Sequence, residues 1–144
     1  YSMMTRWHEA LFPVLEELNI GYVAFSPLAN GFLSAKYDKN SKFEAKTDYR
    51  SAMPQFTAEG IDKNAGLLQL LHQFAKEKEA TPAGISLAWM LCKKPYIVPI
   101  PGTKENAGAA EVTLTKDEVK KLDMALDSVE MSEVFGGSKI CKRK

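Results

Sequence analysis

The sequence predicts an α/β fold with parallel strands, and three observations carry that expectation. Two short runs rich in β-branched and aromatic residues, 20–25 and 96–100, lie between segments whose apolar residues recur every three to four positions. Each run ends in a turn-forming loop, Ser26-Pro27 after the first and Pro101-Gly102 after the second. Strands that alternate with helical segments indicate βα units and a parallel sheet. Two strands are read in this way, and a third if Tyr1 ends one. A sheet of two parallel strands leaves both edges open and cannot cover both faces. Residues 1–144 therefore read as a single partial domain of a larger α/β assembly.

In chain order, Tyr1-Ser2-Met3 reads as the tail of a strand or the loop after one, rather than as a natural N-terminus. Glu9 to Asn19 is a predicted helix, with Leu11, Val14, Leu15 and Leu18 on one stripe and Pro13 tolerated near its first turn. Ile20 to Phe25 is the first strand. Residues 26–64 form a long loop with weak periodicity, several prolines and glycines and many charges. Loops of that length are functional or disordered, and composition leaves a mobile excursion and a ligand-contacting lid equally open. Ile61 to Glu79 is a second helix, with Leu67, Leu68, Leu71, Phe74 and Ala75 as its apolar stripe.

Thr81-Pro82 restarts the chain as a helix, with threonine as N-cap and proline at the first helical position. Its residues Ile85 to Cys92 are apolar nearly all round, which predicts a buried helix, although Gly84 stands inside it. Tyr96 to Ile100 is the second strand, with Pro99 at its end. A short helix is expected around Glu105 to Ala110. Thr115 and Glu118 form a capping-box pattern before a helix reaching Leu126. Residues 128–144 read as a frayed C-terminal tail.

Composition excludes several functions. Nineteen Lys and Arg oppose 18 Asp and Glu, a formal charge of +1. A general nucleic-acid binder draws affinity from a basic surface, so no nucleic-acid partner is expected. The longest apolar stretch, Ile85 to Cys92 apart from Ser86, falls far short of the ~20 residues of a membrane span, and no signal-peptide pattern opens the chain. His8 and His72 have no Cys, Asp or Glu at ligand spacing, so no metal is expected. Cys92 and Cys141 make neither a disulfide framework nor a metal site, which suits a reducing, cytoplasmic setting. Neither a nucleophile-elbow nor a P-loop pattern is present.

What remains is the pair of loops that leave the strands. Ser26-Pro27-Leu28-Ala29-Asn30-Gly31-Phe32-Leu33 follows the first strand, and Pro101-Gly102-Thr103-Lys104-Glu105-Asn106 follows the second. Ligands of parallel α/β folds bind where such loops leave the carboxyl ends of strands. Both carry small residues that permit close approach and a hydroxyl, and the second adds a lysine, a composition suited to phosphate. Ser-Pro and Pro-Gly also mark ordinary turns.

Taken in order, Phe25-Ser26-Pro27-Leu28 through Gly31 and, far downstream, Pro99-Ile100-Pro101-Gly102-Thr103 resemble the C-terminal part of an aldo-keto reductase. The branch it resembles contains bacterial aldo-keto reductases, perakine-reductase-like enzymes and potassium-channel β-subunits. Leu15 to Gly21, Thr81-Pro82-Ala83, Leu87-Ala88-Trp89, Glu105-Asn106 and Leu114-Thr115 extend the likeness across nearly the whole chain apart from the tail.

The resemblance implies the C-terminal part of a (β/α)8 TIM barrel, from about the end of strand 6 through strand 8. It implies NADPH as cofactor and reduction of a small-molecule aldehyde or ketone to an alcohol. By position, Phe25 would stack on the nicotinamide, with plain strand packing as its alternative. Ser26, Leu28, Gly31 and Leu33 would lie along the pyrophosphate. Gly102, Thr103 and Lys104 would approach the 2′-phosphate, and Glu105 and Asn106 the adenine. The family's catalytic Asp, Tyr, Lys and His belong to the preceding half of the barrel, so no catalytic residue is assigned in this chain, and a whole barrel takes about 250 residues.

Between Thr103 and Glu105 the family carries several more residues, including a basic clamp, where this sequence has Lys104 alone. Gly84 stands where the family leads one to expect a larger polar residue. Two alternatives stay open. One is a non-catalytic regulatory subunit of the same fold, sensing cofactor or gripping a partner protein. The other is an isolated half-barrel that self-associates as a homo-oligomer through its open edges.

Overall fold

The computed structural model describes residues 1–102 and 104–134. Two strands, β1 (Tyr22–Ala24) and β2 (Ile97–Pro99), pair in parallel with Tyr22 opposite Ile97 and Ala24 opposite Pro99. Both are shorter than the sequence runs. The ladder starts with the Tyr22 amide donating to the Tyr96 carbonyl at 2.9 Å and closes with the Ile100 amide donating to Ala24 at 3.2 Å. Because bonding residues alternate along a strand, Pro99 turns its missing N–H away from β1. The third strand expected at Tyr1 is absent among the described residues. Ser2 and Thr5 instead form an isolated antiparallel bridge, and the Tyr1 nitrogen donates to the Phe25 carbonyl at 2.9 Å.

One sheet face is covered and the other is open. Ala24 and Ile97 are buried, whereas Val23 is 61% and Val98 54% exposed. The covering layer is built on α4 (Pro82–Lys93), which packs against β2, α3 (Ala65–Glu77) and α5 (Lys116–Ser128). The Thr81 hydroxyl accepts from the Gly84 amide at 3.0 Å, as the Thr-Pro signal predicts. Every residue from Ala83 to Met90 is buried. A Cβ on Gly84 would lie 3.2 Å from the Thr81 hydroxyl, so a side chain there would crowd the cap.

The first predicted helix is split by its proline. Trp7–Leu11 is a 3-10 helix and α1 spans Phe12–Glu17. Pro13 has no N–H to donate to the carbonyl of Glu9, so an α-helical ladder cannot run back through it. Phe12 is the residue α1 buries, while Leu11, Val14 and Leu18 of the expected stripe are exposed. Asn19, at φ 52°, ends the helix in the left-handed region.

The 26–64 loop is ordered by packing. It contains 3-10 turns at Phe32–Ser34, Tyr49–Ala52 and Pro54–Phe56, followed by α2 (Ala58–Lys63). The rings of Phe32, Tyr37 and Phe43 surround Phe56 with centroids 5.0 to 5.5 Å away. The Arg50 guanidinium lies 4.9 Å from the Phe43 centroid and 5.1 Å from that of Tyr37. It is held there by Asp48 and donates to the Tyr37 hydroxyl. The expected helix from Ile61 to Glu79 is interrupted at Asn64, which separates α2 from α3.

The capping box of α5 forms as predicted. The Glu118 amide donates to the Thr115 hydroxyl at 3.2 Å, and the Thr115 amide donates to the Glu118 carboxylate at 2.8 Å. The Lys78 ammonium, 2.7 Å from that carboxylate, and the Thr115 amide hold its pKa down at about 2, from an ordinary 4.5. A depressed acid contributes stability that is present above pH 4.5 and is lost as pH falls toward 2. Glu118→Gln should therefore flatten the acid limb of the stability–pH curve between those values in urea titrations. An unchanged acid limb would refute the assignment.

Candidate functional site

Parallel pairing sends both post-strand loops out at the same end of the sheet, one from Phe25 and the other from Ile100. The first loop has an unusual backbone. Ser26, Ala29, Asn30 and Ala35 all have φ between 49° and 58°, and Gly31 has φ 93°. Left-handed non-glycine residues cost about 1 kcal/mol or more each and cluster at functional sites. Here they are locked by local hydrogen bonds. The Asn30 amide donates to the Ser26 hydroxyl at 3.2 Å, and the Gly31 and Leu33 amides both donate to the Leu28 carbonyl. The Ser34 hydroxyl donates to the Gly31 carbonyl at 2.7 Å. The amides of residues 29–35 are thus engaged within the loop, and an anion beside it would be met by side chains.

Two cavities flank this loop. The larger, of about 670 Å³, lies at the end of β1 and is lined by Phe25, Ser26, Tyr22, Tyr49, Met53 and Val134, among others. Phe25 is 75% exposed and lines it. Burial pushes the Tyr22 phenol pKa up and that of the neighbouring His8 imidazole down, which favours the neutral form of both. With Phe25, Tyr22 and Tyr49 in the lining, the walls offer flat aromatic faces.

The smaller cavity, of about 230 Å³, is lined by Leu28, Gly31, Ser34, Lys36, Tyr37, Thr81, Ala83 and Asn106. Its lining holds one ammonium, several hydroxyls and an amide, with no carboxylate among them. A lining with an ammonium and no carboxylate suits a phosphorylated ligand.

The residues expected from sequence distribute unevenly. Phe25 and Ser26 line the larger cavity, and Leu28, Gly31 and Asn106 the smaller. Gly102 is exposed. Thr103 and the side chains of Lys104 and Glu105 lie outside the described residues. Leu33 is a correction. Its side chain is 0% exposed in the hydrophobic core and its amide is taken by Leu28, so it has no surface to offer a ligand. Sequence reasoning missed Ser34, Lys36, Tyr37 and Thr81. Lys36, so soon after the loop, is the readable signal, whereas the sequence around Thr81 points to a helix cap alone.

The remaining histidines and the described cysteine form no cluster. His72 is exposed and the ring of His8 stacks on Trp7 at 3.5 Å. The thiol of Cys92 is half-buried and accepts from the Leu114 amide. Among the described residues no group of His, Cys, Asp and Glu could hold a metal ion, and no helix is long and apolar enough to cross a membrane.

Comparison with known proteins converges on one family. The model of the Aldo/keto reductase family matches residues 1–127. Aldo-keto reductase str7 of Strobilurus tenacellus is 37% identical over 116 residues, which is 76% of this chain and 34% of that protein. Probable aldo-keto reductase 1 of Glycine max is 34% identical over 149 aligned positions, covering 95% of this chain and 40% of the relative. Aldo-keto reductase yakc [NADP(+)] of Schizosaccharomyces pombe is 36% identical over 121 residues, 80% of this chain and 35% of its own length. The chain thus spans between about a third and two fifths of the length of these relatives.

Proposed function

The chain belongs to the aldo/keto reductase family, and we propose that it forms the cofactor-binding C-terminal part of a (β/α)8 barrel that reduces an aldehyde or ketone to an alcohol with NADPH. The observation that carries this reading is the smaller cavity, where Leu28 and Gly31 of the first loop meet Asn106 of the second. Two segments far apart in sequence build one polar, carboxylate-free recess at the strand ends, where ligands of this architecture bind. The printed name of the Schizosaccharomyces pombe relative carries NADP(+), which supports the choice of cofactor. The open sheet face, Val23 and Val98, is in keeping with strands that complete a barrel beyond this segment. The half-buried free thiol of Cys92 suits a reducing, cytoplasmic setting.

The chain's own contribution is to bind and orient. The exposed Phe25 ring offers a flat apolar platform at the end of β1 for the nicotinamide. The Ser26–Gly31 loop, fixed by its internal hydrogen bonds, separates that platform from the phosphate recess. Lys36 supplies positive charge to the recess, and Asn106 supplies an amide for the adenosine end. Lys104 is assigned to the 2′-phosphate. When bound, the cofactor supplies the hydride that a carbonyl carbon accepts. What these residues add is proximity and a fixed approach, a contribution that reaches several kcal/mol when the geometry is held.

The test is fluorescence titration of the intact protein with NADPH and NADH. Phe25→Ala should weaken both by about tenfold, the loss of one stacked aromatic contact. Lys104→Ala should weaken NADPH about tenfold or more while leaving NADH within twofold, since a charge-assisted bond contributes about 1.5–3 kcal/mol. No binding to the intact protein, or equal affinity in Phe25→Ala, would overturn the reading.

A further inference from the structure

Asn64 interrupts what the apolar stripe would otherwise make one continuous helix, and it is 0% exposed. Both ends of its amide are spent on a single residue 68 positions away. The Nδ2 group donates to the Ser132 hydroxyl at 2.8 Å, and Oδ1 accepts from the Ser132 backbone amide at 3.0 Å. The Ser132 hydroxyl in turn donates to the Glu133 carbonyl at 3.0 Å. Just upstream, Val129 packs over Gly66, near enough that a Cβ there would meet its methyl at 3.4 Å. Two residues beyond Ser132, Val134 forms part of the wall of the larger cavity, together with residues of β1 and of the 26–64 loop.

We propose that Asn64 is a positioning residue for substrate. It clamps the C-terminal segment 129–134 so that Val134 closes one side of the cavity in front of Phe25, and so helps set which carbonyl compounds fit. The proposal rests on the reductase reading for the identity of that cavity's occupant. The physical argument for a clamp is economy of contacts. A buried primary amide needs several partners, and leaving them unmade costs more than the bonds gain. Ser132 supplies both an acceptor and a donor, so the segment is held at a fixed register rather than merely near the helix joint. An apolar residue at 64 would leave the packing of Val129 and Met131 against the core but remove that register. A carboxylate at 64 could not donate to the Ser132 hydroxyl, and the charge would be buried.

The experiment pairs a structural readout with a kinetic one on the intact protein. In wild type, the Ser132 amide should be protected in hydrogen exchange. In Asn64→Ala, protection over 129–134 should fall by about tenfold or more while α4 stays protected. The KM for 4-nitrobenzaldehyde should rise about five- to tenfold with kcat and the NADPH dissociation constant within twofold, the pattern of lost substrate positioning. Ser132→Ala, which keeps the backbone bond at a half-buried position, should show the same changes at smaller size, and the double variant should add little to Asn64→Ala. If Asn64→Ala binds NADPH normally and its KM is unchanged, or protection over 129–134 persists, the proposal is overturned while the reductase reading stands. If the intact wild type binds no NADPH, the reductase reading fails and takes the substrate role of Asn64 with it.

Discussion

Trp89→Ala should lower stability by about 3–5 kcal/mol, the range for truncating a large buried aromatic. Trp89 is 0% exposed and lies on the most deeply covered stretch of α4. Tyr1 stacks on its ring at 5.5 Å, so the cavity left by alanine would be bordered by a second ring that loses its partner. The indole N–H donates to Asp123 of α5 at 2.8 Å, and Lys93 reaches over the ring at 4.5 Å to bridge Asp123 and Glu9. Trp89 therefore joins two helices and the start of the chain, by area on one side and by a charge-assisted bond on the other. The two contributions separate by substitution. Trp89→Phe keeps most of the area and loses the hydrogen bond, and should cost about 1–2 kcal/mol because Asp123 retains Lys93 as partner. Domains of this kind have total stabilities of about 5–15 kcal/mol, so the alanine variant should show a urea midpoint shifted by a large fraction of its wild-type value. A loss below about 1 kcal/mol would mean that α4 is not the centre of the core.

What could be read from the sequence follows the range over which each signal acts. α4 and α5 were legible because the Thr81-Pro82 pair and the Thr115/Glu118 box are satisfied within four residues. The parallel strands are legible as composition, and parallel pairing alone puts the two loops at one end of the sheet. The 26–64 loop is not. Its order comes from Phe32, Tyr37, Phe43 and Phe56 meeting at irregular spacing, with Arg50 laid across two of them, and no period marks such a cluster. The break at Asn64 was equally hidden. An asparagine is ordinary within a helix, and the residue that takes up its amide, Ser132, lies 68 residues downstream. Leu33 illustrates the opposite error. Its place in a recognisable motif suggested ligand contact, but a 3-10 turn rotates it into the core.

Gly60→Ala is expected to destabilise the protein by about 1–3 kcal/mol or more, against the trend for glycine in a helix. Helix propensity alone favours alanine by about 1 kcal/mol. The local geometry opposes it. A Cβ at position 60 would stand 2.1 Å from the Pro54 carbonyl oxygen and 3.1 Å from its carbon. That oxygen is fixed, because it already accepts from the Thr57 hydroxyl at 2.8 Å, and the same hydroxyl caps α2 by accepting from the Gly60 amide at 3.0 Å. Neither party is the end of a flexible side chain, so relief requires moving α2 or the turn at Pro54–Phe56. The turn carries Phe56 into the aromatic cluster, and Met53 just before it lines the larger cavity. Strain at Gly60 should therefore spread toward the candidate site. Gly66→Ala is the matched control. It also lies in a helix, but its Cβ would meet only the Val129 methyl at 3.4 Å, an ordinary contact with an atom that can shift. There propensity should prevail and the variant should gain about 0.5–1 kcal/mol. Opposite signs at the two glycines in parallel urea titrations are what the close approach of α2 to Pro54 requires, and a Gly60→Ala protein as stable as wild type would show that the approach is not maintained in solution.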